Sequence, residues 1–512
     1  MKSSFIHETG PTQGVSYQVK TRRLALAALG SLAVLTASVP AVAGETAKQV
    51  TPAASASIWE KPAWLTDLSL RVGESYDTNV YLGGVDVVPG DNVALRNKSS
   101  TVTTISPKIG VDFAKLLDKD SILKVFSFGY SPDFVIFQDA SSETYSLHRF
   151  TTAIKGKASP VTFSLENAFT YINGSDDGLF YPGGASAYAN GTIRERRTQW
   201  QDRSKASVKI DLNESFFIRP TASLLYYDLG TNFLTTSAST VDPVHPAGYT
   251  NFIDRYDLNG GADVGYNVNK DVAFTLGYRY GHQSQANLPL YVDATQTNAS
   301  SDYQRVLAGV EGSPLKWLKV EASVGPQFTT YTDSRPLAAG ANPTKVYTTK
   351  RGVTTVKLVA STDQIDKNPT DVYAEASVTI SPTAKDALVL KYKRWDWVSS
   401  TGKNAYLDTL YDASFRHQIT KDLQLEVGVR ASNSDYNPSA LRNDWLYTTS
   451  AGLKYAVTKN LSLDLSYSYD RGRNDQLVNS VTVAKTAANY YVVPASRQFE
   501  RSIVSTGVTW KF

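Results

Sequence analysis

The feature that most constrains this chain is a repeat of two. From Leu65 to the C-terminus, short runs alternate apolar with polar side chains: Leu68-Ser-Leu-Arg-Val72, Val161-Thr-Phe-Ser-Leu165, Val272-Ala-Phe-Thr-Leu276, Leu423-Gln-Leu-Glu-Val427 and Leu461-Ser-Leu-Asp-Leu465. Alternation over five or more residues puts neighbouring side chains on opposite faces of a strand. Beyond the N-terminal segment no stretch approaches the ~18 consecutive apolar residues of a membrane-crossing helix, which excludes a helical inner-membrane protein.

Between the runs lie eight compact turns: 117–120, 157–160, 212–214, 268–271, 312–314, 381–386, 420–422 and 458–460. They alternate with longer polar connections near 83–98, 175–192, 229–250, 285–300, 332–370 and 472–496. Short links on one side and long ones on the other predict an all-β fold: a transmembrane, antiparallel, up-and-down β-barrel with short periplasmic turns and long extracellular loops. With both ends on the short-turn side, eight turns join nine hairpins, hence about 18 strands. Residues 345–363 are either an extracellular hairpin or an extra pair of wall strands. The mean hydropathy of −0.26 fits such a wall, because it averages a greasy face with a wet one. A secreted sandwich, propeller or solenoid is the soluble alternative. Against it, aromatic residues gather at strand ends, among them Tyr76, Tyr130, Tyr171, Tyr226, Tyr266, Tyr280, Trp317, Tyr455, Tyr467 and Trp510, as interfacial girdles require.

The first residues read as an address. Lys2, Lys20, Arg22 and Arg23 precede an apolar stretch from Leu24 to Val39 and the small-residue site Ala41-Val-Ala43. This predicts a cleavable signal peptide over 1–43. A flexible periplasmic tether over 44–64 follows, too short for a plug domain, and the outer-membrane barrel occupies 65–512. With no cysteine there is no disulfide framework, thiolate metal site or cysteine nucleophile. The 52 basic and 48 acidic residues are too balanced to point to nucleic acid. After residue 43 the histidines are His148, His245, His282 and His417, and no H-E-x-x-H, G-x-S-x-G or P-loop pattern accompanies them. No enzyme, cofactor or metal is expected.

Alternation also sorts lumen from lipid. If Leu68, Leu70, Val72, Phe163, Leu165, Phe216, Ile218, Leu224, Phe274, Leu276, Val320, Val324, Leu423 and Leu425 face lipid, residues one step out of phase face the lumen. In the segment 194–210 the outward set is Trp200, Ser204, Ala206, Val208 and Ile210, with Asp202 an awkward exception. The inward set, Arg197, Gln199, Gln201, Arg203, Lys205 and Lys209, is a basic and amide ladder that Arg149, Lys155, Lys157 and Arg219 extend. Inward acids, Glu375, Asp408, Asp412, Glu426 and Asp464, fall in the other half of the chain. A positive wall facing a negative one sets a transverse field that orients polar solutes. The alternative is a wetted lumen whose charges serve only hydration. Lys391, Lys393, Trp395 and Trp397 project inward if Leu388 and Leu390 face lipid. Aromatic faces beside cations suit sugar rings that carry acidic groups. In a shifted register the two tryptophans would instead belong to the outer girdle.

Two resemblances add to this. The opening strand, with Gly73, Tyr76, Asp77, Asn79, Val80 and Tyr81, resembles the G-x-x-Y-D-x-N-V-Y start of a β-barrel porin family often associated with exopolysaccharide gene clusters. That resemblance implies an outer-membrane pore for polar solutes, possible exopolysaccharide or oligosaccharide passage, and polysaccharide-export partners. A general diffusion porin for small nutrients is the rival reading, and an outer-membrane enzyme is a third. The last strand, with Val508, Trp510 and the terminal Phe512 on one face, resembles the assembly signal of outer-membrane barrels, which implies recognition by the barrel-assembly machinery.

Overall fold

The structure, a computed structural model, describes residues 61–80, 99–118, 120–175, 197–229, 254–285, 300–331, 344–350, 353–359, 368–398, 405–435, 443–474 and 499–512. The expected signal peptide and nearly all of the tether lie outside them.

Twenty strands follow in order: β1 (Leu65–Asp77), β2 (Ser100–Asp112), β3 (Leu123–Phe137), β4 (Tyr145–Ala158), β5 (Val161–Ser175), β6 (Arg197–Asp211), β7 (Phe216–Asp228), β8 (Arg255–Asn269), β9 (Val272–Gln285), β10 (Ser301–Leu315), β11 (Leu318–Tyr331), β12 (Thr344–Lys350), β13 (Val353–Val359), β14 (Thr370–Ile380), β15 (Asp386–Val398), β16 (Ala405–Gln418), β17 (Leu423–Asp435), β18 (Asn443–Ala456), β19 (Leu461–Asn474) and β20 (Phe499–Lys511). Eighteen form one sheet of antiparallel neighbours, and β1 pairs with both β2 and β20, which closes the barrel. Among the described residues β12 and β13 pair only with each other, so within the segment 345–363 they form a separate hairpin and add no wall strands. Wall strands of 11 to 15 residues exceed the roughly 9–11 needed to cross a bilayer at a tilt.

All eight short turns fall at one end, where β1 begins and β20 finishes. Their chemistry explains the repeated wording of the sequence. The hydroxyl of Thr420 accepts from the amides of Asp422 (3.3 Å) and Leu423 (3.0 Å), and Thr458 does the same for Asn460 (3.2 Å) and Leu461 (3.0 Å). Asn213 accepts from Ser215 and Phe216 in the same way. Such side-chain caps satisfy turn amides that no strand can reach. At the other end three links, 138–144, 399–404 and 436–442, are also short, beside the six long connections expected from the sequence.

The family-like opening motif has a structural role. Asp77, 2% exposed, accepts from Nε of Arg501 on β20 at 3.1 Å, and Nδ2 of Asn79 donates to the Glu500 carbonyl at 2.9 Å. Val80 is buried beside Val102, Val135 and Phe137. These contacts clasp the first strand to the last, across the seam where the barrel shuts.

Register assigns the faces. Leu70, Val72, Leu258, Val264, Leu276, Val324, Leu465 and Val508 lie outward and exposed, and in water they would be a large apolar liability. Aromatic rings border this belt. Toward the long-loop end Tyr130, His148, Tyr171, Trp200, Tyr226, Tyr256 and His282 form a near-continuous row, with Trp200 and Tyr226 stacked at 4.7 Å. Toward the turns lie Phe216, Tyr266, Trp317, Tyr455, Trp510 and Phe512. Asp202 does turn outward, opposite Phe169 and Tyr226, with Ser204 donating to it at 3.3 Å. The chain is therefore a multi-pass β-barrel whose solvent on one side is lipid.

Candidate functional site

The lumen is the other face of the same alternation. Register turns Arg149, Lys155 and Lys157 of β4, Arg203, Lys205 and Lys209 of β6, and Arg219 of β7 inward. Glu375 of β14, Lys391, Lys393, Trp395 and Trp397 of β15, Asp408 and Asp412 of β16, Glu426 of β17 and Asp464 of β19 share that face. The Arg197 side chain lies outside the described residues.

Two opposed walls of charge do not result. Asp412 is paired with Arg430 (2.7 Å), Asp464 with Arg71 (2.7 Å) and Glu375 with Lys393 (3.8 Å). On the basic side Arg149 holds Asp133, Lys155 holds Glu166, Lys209 holds Asp211 (3.2 Å), and Arg219 holds Asp263 (3.0 Å) and Glu311 (2.8 Å). Most of the expected transverse field is thus cancelled between near neighbours. Partners such as Arg71 and Arg430 become adjacent only through inter-strand register, which charge counts along the chain do not contain.

Arg203 and Lys205 of β6 make no ion pair among the described residues, and both act electrostatically on Lys393 of β15, as does Arg305 of β10. Among them lies Glu375, to which the Tyr373 hydroxyl donates at 2.6 Å, with Asp408 beside Lys393 and Asp396 beside Arg305. Arg305 is sandwiched between the rings of Tyr303 and Tyr373, 4.1 Å from each, and Lys393 lies 4.9 Å from the Trp395 ring. Four cations, the carboxylates of Glu375, Asp396 and Asp408, and an aromatic lining therefore meet inside the barrel.

Above this cluster a buried layer crosses the lumen. β15 stays paired with β16 as far as Val398, but its pairing with β14 stops at Arg394. Beyond Arg394 the β15–β16 end leans inward. Gln283 of β9 donates to the Asp396 carbonyl at 2.8 Å, Gln327 of β11 donates to the Asp396 carboxylate at 2.7 Å, and Arg255 of β8 donates to the Val398 carbonyl. Arg255 also lies 4.8 Å from the Trp397 ring and 5.0 Å from that of Tyr227. Trp397 and Tyr406 pack with Leu147 of β4, Ile172 of β5 and Tyr227 of β7 in one buried cluster. β4 stands nine strands from β15 either way round an 18-stranded wall, so this cluster bridges the full width of the lumen. Trp397 is 4% exposed, Tyr227 1% and Arg255 2%.

Sequence reading missed Arg255, Asp257, Gln283, Tyr303, Arg305, Gln327 and Asp396. The phase of alternation on β8, β10 and β11 does point Arg255, Arg305 and Gln327 inward, so part of the signal existed. Asp396 is different: it falls on the outward phase of β15 and reaches the lumen only because the strand leaves the wall.

Among the described residues neither His148 nor His417 builds a hydrolytic centre. His417 and Asp386 are 2.7 Å apart at the periplasmic rim, but the nearby Thr383 hydroxyl bonds Asp386 instead of the ring. His148 meets Ser146 at 3.2 Å on the outer face, yet its other ring nitrogen faces the Tyr130 hydroxyl and no carboxylate. A nucleophile needs a base that a third group orients. Among the described residues no group of His, Asp and Glu is placed to hold a metal ion.

Residues 363–489 match the sequence profile of a family described as "Putative beta-barrel porin 2", the kind of family that the opening strand resembles. No curated protein gives a significant match. Among solved structures, Pseudomonas aeruginosa OpdK with vanillate is similar at TM-score 0.38 and 10% identity, covering 88% of this chain and 100% of that one. Pseudomonas aeruginosa OccK2 (OpdF) in complex with glucuronate gives 0.36 and 10%, covering 87% and 98%. The open form of the ferric-catecholate import receptor Fiu from E. coli K12 gives 0.33 and 11%, covering 87% and 82%. With its closed wall, apolar belt and family match, the chain is a porin-like barrel of the bacterial outer membrane.

Proposed function

We propose that this barrel is a channel for acidic, sugar-like solutes, and that its cargo is an exopolysaccharide or an oligosaccharide derived from one. The supporting observation is the meeting of Arg203, Lys205, Arg305 and Lys393 around Glu375, beside Trp395, Tyr303 and Tyr373. Water and fixed charge replace hydrocarbon along the path, so a polar solute avoids the desolvation it would meet in the bilayer. Cations compensate the carboxylates of the solute, while ring faces stack on its apolar sugar faces. Neither contact forms a covalent bond, and several weak contacts in a row let a chain advance residue by residue. The route also includes Lys391, Trp397, and the basic ladder of Arg149, Lys155, Lys157, Arg197, Lys209 and Arg219. Recognition by barrel-assembly machinery through Phe512, and partners in polysaccharide export, belong to the same reading.

A general diffusion porin for small nutrients is the second reading, and for either cargo the layer of Arg255, Tyr227 and Trp397 has to move aside. The test is ionic current through single channels in planar bilayers, with and without oligosaccharides of uronic acids. Acidic oligomers should interrupt the current, neutral oligomers of equal length should do so far less, and Arg203→Glu should weaken the block by about tenfold, as loss of ~1.4 kcal/mol implies. Equal block by neutral sugars, or a block indifferent to Arg203→Glu, removes the basis for an acidic cargo. Absence of any conductance would favour an enzymatic or structural role.

A further inference from the structure

The inward side chains change character partway down the wall. On β6 Gln199 and Gln201 are buried, Arg203 is half-buried and Lys205 is exposed. On β15 the same step runs from the buried Trp397 to Lys393, 37% exposed, and on β14 from the buried Tyr373 to Glu375, 43% exposed. On β17 it runs from Ser434 and Ser432 to the exposed Glu426, and on β11 from Thr329 and Gln327 to the exposed Glu321. Each of the eighteen wall strands buries at least one inward-facing residue in its long-loop half. Contacts among these residues account for the upper level. The cluster of Trp397, Leu147, Ile172 and Tyr227 spans the lumen. Beside it Gln283 and Tyr303 each donate to Asp257 at 2.9 Å, Arg305 donates to Gln327 at 2.7 Å, and Ser434 donates to Asp408 at 3.2 Å. On the β1–β3 side Val80, Val102 and Phe137 pack together. Polar groups that answer one another in this way belong to a layer poor in water.

The cation cluster lies on the wet side of that boundary. Lys205 and Lys393 keep exposed side chains, and Trp395, whose ring is 4.9 Å from the Lys393 ammonium, packs against the spanning layer. Below them the lumen carries exposed ionic side chains as far as the turns, among them Lys155, Lys319, Glu426 and Lys454. From Lys205 to Asp211, the last residue of β6, a strand rising ~3.3 Å per residue at a tilt of about 40° descends roughly 15 Å. We propose that the cation cluster is the inner end of a vestibule filled from the periplasm, where the leading end of an acidic saccharide is held before the layer above it parts. This rests on the channel reading and adds the side from which that channel is loaded. An acidic solute coming from the turn end meets Lys205 and Lys393 through water. One coming from the long-loop end has first to displace paired, buried groups, which costs their hydrogen bonds before any cation is reached. Because the vestibule ends at the layer, it receives the end of a chain and a short oligomer fills it.

The absence of cysteine from the chain makes the loading side measurable. Three single variants are placed in the outer membrane of intact cells. Ser207→Cys is the next inward position of β6 below Lys205, Ser141→Cys is exposed at the long-loop end, and Lys421→Cys is exposed on a periplasmic turn. The probe is an anionic biotin-maleimide too large to cross the outer membrane by other channels, added before or after that membrane is permeabilised. Yields are normalised to the thiol labelled after denaturation. Ser141→Cys should label at one rate throughout and Lys421→Cys only after permeabilisation, which fixes the two sides. Ser207→Cys should label at least tenfold faster after permeabilisation. A uronic-acid trimer in the permeabilised cells should slow that labelling at least fivefold, and a neutral trimer should leave it unchanged. Labelling of Ser207→Cys in intact cells at the rate of Ser141→Cys overturns periplasmic loading, and so does its failure to label where Lys421→Cys reacts. Sided labelling that both trimers slow equally, or that neither slows, overturns instead the acidic cargo on which the proposal rests.

Discussion

Lys205 offers the cleanest electrostatic probe. Its side chain is exposed to the lumen, it makes no ion pair among the described residues, and Glu375 keeps Lys393 as a partner when it is reversed. Lys205→Glu changes the local charge by two units. At about 6 Å from a passing anion, water-like screening gives about 0.7 kcal/mol per unit charge, so the reversal is worth about 1.4 kcal/mol or a tenfold change in relative permeability. At 0.1 M salt a Debye length near 10 Å reduces this to about fourfold. The assay is the reversal potential across a bilayer under a potassium chloride gradient. The ratio of chloride to potassium permeability should fall about fourfold for Lys205→Glu and about twofold for Lys205→Gln, with larger effects at lower salt. Lys421→Glu, on a periplasmic turn where the side chain is 90% exposed, should leave the ratio unchanged. Equal shifts from Lys205→Glu and Lys421→Glu, or none from either, would refute a local field at the cation cluster.

Other outcomes follow from particular contacts. Arg255→Ala removes a charge-assisted bond of about 1.5–3 kcal/mol and two ring contacts, so single-channel records should show the time spent at high conductance rising by at least tenfold. Leu465→Arg puts a charge on the lipid face and should cost about 2–4 kcal/mol in reversible unfolding from lipid, whereas Ser466→Arg, one residue on and facing the lumen, should be tolerated. Asp77→Ala leaves Arg501 without its clasp across the seam and should lower stability in the same assay by about 3–5 kcal/mol; an effect under 1 kcal/mol would deny the seam contact its importance.

Alternation is why so much of the wall was legible in the sequence. A side chain on a strand has two choices of face, and one greasy residue such as Leu68 or Val320 fixes the phase for its whole strand. The turns were legible because Thr420 and Thr458 cap them locally, within three residues. What lay beyond reach depends on distance around the barrel. Asp464 finds Arg71 only because β19, β20 and β1 are neighbours after closure, and Trp397 finds Tyr227 only because a strand leaves its place. The reading of Trp395 and Trp397 as inward depended on phase alone, and phase contains nothing about the hairpin end crossing the lumen. Asp202, awkward from the start, is outward as its phase requires; its neighbours Asn167 and Ser204 supply the polar company that the lipid face does not.

Passage itself is the measurement closest to the central claim. Purified protein in liposomes would be offered a fluorescently labelled acidic oligosaccharide on one side, with a neutral oligomer of the same length as reference. The account predicts that the acidic oligomer crosses several times faster than the neutral one and that Lys205→Glu removes the advantage. Transfer of neutral and acidic oligomers at the same rate, or transfer no faster than in protein-free liposomes, would contradict it.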